Sequence, residues 1–140
     1  MVTVSATILI TLGILPVLVG LVLVLAGALF DTVRQQPEMV EQLGQLPAGF
    51  GVLFLVLGLV LLSWGVLEVL AGIFVLARRT WARITGIIVG ILGVLIGLAA
   101  ALPGEAGLTT VGMVLAALFI GGHAFAIWAL GSRGRWFSGA

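Results

Sequence analysis

Four uninterrupted apolar runs account for most of the chain, and polar residues gather in the short stretches between them. The runs cover about 6–30, 51–77, 84–102 and 107–131. Each reaches about 19 residues or more, close to the ~20 that a helix rising 1.5 Å per residue needs to cross a 30 Å hydrocarbon layer. None alternates with a period of two, so strands are not indicated. The pattern predicts an all-α polytopic membrane protein, a bundle of four transmembrane helices forming a single membrane domain over residues 1–140. Its surroundings are the lipid bilayer.

Inside these runs a second pattern appears, carried by glycine. Gly13, Gly20 and Gly27 recur every seven residues in the first run, and Gly51, Gly58, Gly65 and Gly72 in the second. The third run carries two such rows, Gly86–Gly93 and Gly90–Gly97, the latter continuing to Gly104. A seven-residue period keeps one side of a helix facing a neighbour in a left-handed supercoil. Lipid tails are as apolar as leucine, so membrane helices associate largely through close contact, which small residues permit. The rows are therefore expected to be packing seams, within one bundle or between copies of the chain.

Charge fixes a direction. Arg78, Arg79 and Arg83 lie in the link between the second and third runs, and Arg133 and Arg135 follow the fourth. The other two links hold Asp31, Arg34, Glu38, Glu41 and Glu105. Arginine-rich loops stay cytoplasmic, which predicts both termini inside, with Trp81 and Trp136 at the headgroup layer on that side. Ala26-Gly27-Ala28 resembles a signal-peptide cleavage site, but the run before it exceeds the 7–15 residues usual for such a segment, and an uncleaved first span is expected. Between 31 and 50, Pro37 and the acidic residues after it suit a helix start, and Met39, Leu43 and Leu46 share a face. A short amphipathic connector at the outer interface is expected there.

Two ionisable residues interrupt the apolar runs, Glu68 and His123. Each stands ten positions before an arginine, Arg78 or Arg133, and so about 15 Å inside the same membrane face. Glu68 falls on the Gly65/Gly72 stripe, and His123 on a stripe with Gly112, Ala116, Phe119 and Ala126. A charged group at such depth costs a few kcal/mol unless it faces protein or water, so each is expected to look inward. A hydrogen bond between them would satisfy both. It reads equally as an interhelical clamp or as a proton relay. The matched positions also fit two parallel hairpins related by an axis along the membrane normal.

Composition removes other classes. Charged residues make up 8% of the chain against ~25% in soluble domains, and hydrophobic residues 62%. A net charge of +1 with no basic patch excludes a nucleic-acid partner. The absence of cysteine excludes thiolate chemistry, and one histidine cannot complete a metal or haem site alone, so neither metal nor cofactor is expected. Catalytic constellations are missing, and the chain does not read as an enzyme.

The stretch Gly72–Ile88, with Trp81-Ala82-Arg83 at its centre, resembles a pattern in small bacterial membrane proteins of unknown function, in which a tight basic link joins two spans. The resemblance implies a four-helix protein of the bacterial inner membrane and carries no activity. Small multidrug transporters have a similar length and span count, but their essential carboxylate lies in the first helix, where this chain has none. The expected role is a structural or accessory membrane protein that packs with itself or with a larger membrane complex. A minimal proton-coupled transporter or channel subunit using Glu68 and His123, and a lipid-binding protein, are the alternatives.

Overall fold

In three of the four described helices, rows of glycine rather than amphipathicity mark the side that faces inward. The computed structural model describes residues 1–36, 46, 47, 49–101, 110–132 and 137. Among these, regular structure is entirely helical: α1 Val2–Arg34, α2 Phe50–Leu76, α3 Thr80–Ala101 and α4 Thr110–Ser132. Three helices are long and apolar enough to cross a membrane, over Val2–Phe30, Phe50–Leu76 and Thr80–Leu98, with a shorter apolar helix over Ala116–Ser132. The helices start and stop somewhat away from the sequence expectation. In particular α3 opens at Thr80, so Trp81 and Arg83 belong to its first turns and the link to α2 is only a turn. Pro16 lies inside an unbroken α1. The amphipathic connector expected between 31 and 50, and Gly104, Glu105, Arg133, Arg135 and Trp136, fall wholly or largely outside the described residues.

The described residues form two compact units, one drawn from Met1–Gly13 and Leu67–Ala140, the other Ile14–Val66. In the second unit the α1 and α2 backbones touch. A methyl group on Gly20 would lie 2.7 Å from the carbonyl oxygen of Gly58, and one on Gly27 would lie 2.6 Å from that of Gly51. Glycine meets glycine there, and the backbones approach closer than any side chain would permit. Phe30, Phe50 and Phe54 close this seam at one end with edge-to-face contacts at 6.2 and 5.9 Å between ring centroids. Leu18, Val22, Leu25 and Leu29, the opposite face of α1, are exposed. Apolar outside and small inside is the arrangement a lipid solvent favours.

The first unit packs differently. Its core joins Val2, Ala6, Leu9, Val75, Ala82, Ala126, Leu130 and Phe137. Here α3 presents glycines and α4 fills them with side chains: Leu130 against Gly86, Ile127 against Gly90 and Ile120 against Gly97. Gly72 of α2 meets Ala6 and Ile10 of α1.

The α2–α3 turn is tight. The N–H of Arg78 donates to the carbonyl of Val75 at 3.0 Å, and the N–H of Arg79 to that of Phe74 at 3.0 Å. These are the paired bonds of a Schellman cap, with Arg78 in the left-handed region at φ 56°. An L-residue other than glycine there costs roughly 1–2 kcal/mol.

Candidate functional site

Glu68 and His123 meet. Glu68 lies on α2 between Gly65 and Gly72, His123 lies on α4, and both side chains are 0% exposed. Nε2 of His123 and Oε1 of Glu68 form a hydrogen-bonded pair. On the far side of the ring, Nδ1–H donates to the carbonyl of Phe119 at 2.8 Å. Phe119 is one helical turn earlier and also stacks obliquely on the imidazole, with centroids 4.3 Å apart. The ring is held in place from a third direction by Gly93 of α3, where any Cβ would run into the imidazole. Three helices thus define one imidazole.

The other carboxylate oxygen, Oε2 of Glu68, is buried without a hydrogen-bond partner. A buried unsatisfied acceptor is costly, and more so when it carries charge. The pair is also closed in. Among the described residues, apolar grooves in the same unit include one of about 390 Å³ lined by Val4, Thr7, Ile8, Thr11, Leu12, Leu118 and Gly122. Another, of about 490 Å³, is lined by Ile91, Val94, Leu95, Ala124, Ile127 and Trp128. Neither is lined by Glu68 or His123.

The remaining singled-out residues take up separate places. Gly13, Gly20, Gly27, Gly51, Gly58, Gly65, Gly72, Gly86, Gly90, Gly93 and Gly97 are all buried. Arg78 and Arg79 are exposed in the α2–α3 turn, and Trp81 beside them leans on Phe74 with ring centroids 4.8 Å apart. Arg83 has a role that its sequence position did not suggest. Its Nε–H donates to the carbonyl of Leu130 at 2.8 Å and its Nη2–H to that of Gly131 at 3.0 Å. These carbonyls belong to the last turn of α4, where helix geometry leaves acceptors unpaired and the dipole favours a cation. Phe137 lies beneath the guanidinium, 6.0 Å from it to the ring centroid. Hydroxyls in α1 turn back to their own helix, Ser5 to Val2, Thr7 to Thr3 and Thr11 to Thr7.

No family model matches the chain, and no curated protein and no solved structure matches it either. The functional reading therefore rests on the chemistry of these residues alone.

Proposed function

We propose that the chain is a small structural or accessory membrane protein, non-enzymatic, that packs with itself or with a larger membrane complex. In this reading it lies in the bacterial inner membrane as four spans arranged as two hairpins, with both termini in the cytoplasm. The observation that supports the role is the burial of the polar pair: Glu68 and His123 are fully buried and bonded to each other across two helices. A clamp between α2 and α4 needs only that bond, whereas a transport site also needs a route for its solute. The orientation draws support from the α2–α3 turn. Arg78 occupies a left-handed position that glycine would fill without cost, which suits a turn selected for its positive charge.

A second reading, a proton-coupled transporter or channel subunit, is favoured by one feature, the buried Oε2 that nothing satisfies. Reconstitution separates the two. Liposomes containing the purified protein and a pH-sensitive dye should show no proton flux beyond that of empty liposomes. Flux that disappears in Glu68→Gln would overturn the accessory role. Native mass measurement after extraction in mild detergent should in turn find a homo-oligomer or a co-purifying membrane complex.

A further inference from the structure

An apolar groove and a positive charge meet along one edge of the α3–α4 contact. The groove lined by Ile91, Val94, Leu95, Ala124, Ile127 and Trp128 has a volume of about 490 Å³. It forms where the small side chain of Ala124 stands among larger ones and Ile127 is drawn in against Gly90. Ile91, Leu95 and Trp128 on its walls are half-exposed. Lipid tails are alike in apolar character, so such a groove selects no lipid by its tail. Selection has to come from a polar end.

Arg83 supplies that end. Trp128 precedes Gly131 by three positions, so the two share a side of α4, one turn apart. The carbonyl of Gly131 accepts from Nη2–H of Arg83 in an exposed bond, and that of Leu130 accepts from Nε–H. A guanidinium has five N–H donors in a rigid fork, and these bonds use two of them. Carbonyls carry no formal charge, so the two bonds fix the fork without cancelling its charge. Gly131 leaves room beside it, with none of the described residues within 4 Å of an added methyl. Depth agrees. Leu95 stands twelve positions after Arg83, about 18 Å along α3, against the ~15 Å of half a 30 Å hydrocarbon layer. Arg83 and the groove together therefore match one leaflet, with the cation at the headgroup edge.

We propose that the groove and Arg83 form a binding site for one anionic phospholipid, taken from the leaflet that meets the α2–α3 turn. An acyl chain lies between Ile91–Leu95 and Ala124–Trp128, and the phosphate accepts N–H bonds from the outer edge of the Arg83 guanidinium. Charge complementarity makes the site selective, as basic pockets between membrane helices are for acidic headgroups. The site does not depend on the accessory role and extends beyond it.

The test is native mass measurement of the full chain in mild detergent, with phosphatidylglycerol or phosphatidylcholine of matched tails added at equal concentration. One phosphatidylglycerol should be retained per chain, with a preference of roughly fivefold, as for one arginine near a lipid phosphate. Ala124→Leu fills the groove from an exposed position and should lose the bound lipid while melting like the parent. Arg83→Gln should bind both lipids equally, and Arg79→Gln should keep the preference. Equal retention of the two lipids by the parent would overturn the proposal, as would full retention by Ala124→Leu. Equal loss of preference in Arg79→Gln and Arg83→Gln would reduce the site to diffuse surface charge and overturn it too. Displacement of the lipid by inorganic phosphate would do the same, by showing that the tail contributes nothing.

Discussion

The imidazole of His123 occupies the space that a side chain at Gly93 would need. The glycine row of α3 is thus more than a packing seam, because one of its notches holds the polar site in place. Gly93→Ala should displace the ring, break its bond to Glu68 and lower stability by about 1–3 kcal/mol, the usual range for overpacking. Gly121→Ala, where nothing lies within 4 Å of an added methyl, should be neutral or slightly stabilising. Thermal unfolding in mild detergent compares them, and equal melting temperatures would refute the notch.

Glu68 and His123 should be energetically coupled. Either leucine substitution alone leaves a buried polar group unsatisfied, whereas Glu68→Leu with His123→Leu leaves none. The double variant should recover part of what the single changes lose, with a coupling on the order of 1 kcal/mol, since polar contacts between membrane helices are modest. Additive losses would show that the bond contributes nothing.

Backbone contact between α1 and α2 makes the glycine row there intolerant of any side chain. Gly58→Leu must push apart two helices whose main chains touch, and should cost more than about 3 kcal/mol or abolish folding. Gly49→Leu, with open space around it, should fold and melt like the parent. If Gly58→Leu matched it, the seam would have to face lipid.

Arg83 should matter to stability as well as to orientation. Arg83→Gln removes the cation and at least one of two bonds to the end of α4, a loss of about 1–2 kcal/mol for a charged donor in a partly buried position. Arg79→Gln, in the exposed turn, should change melting by no more than about 0.5 kcal/mol.

Topology is open to a direct check in this cysteine-free chain. Of single cysteines at Gln36, Arg79 and Gly139, only position 36 should react with an impermeant maleimide in intact cells. Labelling at 79 or 139 would reverse the proposed orientation.

Much of the architecture was legible because lipid imposes a simple code. Apolar runs of about 20 residues predicted the long helices, and the glycines of the seven-residue rows lie on buried faces of them. Glu68 and His123 could be paired on depth, since each stands ten residues before an arginine. Other features had no signature in a linear pattern. That Gly93 would face His123 depends on the register between α3 and α4, and the bond from Nδ1 to Phe119 on a rotamer. The arginines were read for charge alone, so the fork that Arg83 extends to Leu130 and Gly131 went unforeseen; a cation near a helix end was the available clue. The contrast between glycine on backbone where α1 meets α2 and side chain in glycine notch where α3 meets α4 was hidden too, because the spacing of the rows is the same in both.

Equal spacing has a consequence for how α1 finds its place along α2. Gly20 meets Gly58 and Gly27 meets Gly51, so sliding one helix past the other by seven residues would bring glycine opposite glycine again. A periodic seam measures distance without an origin. The origin must come from side chains that do not repeat, and the Phe30, Phe50 and Phe54 cluster at one end of the seam supplies it. Rings that lock edge to face at one end of a periodic seam single out one register among near-equals.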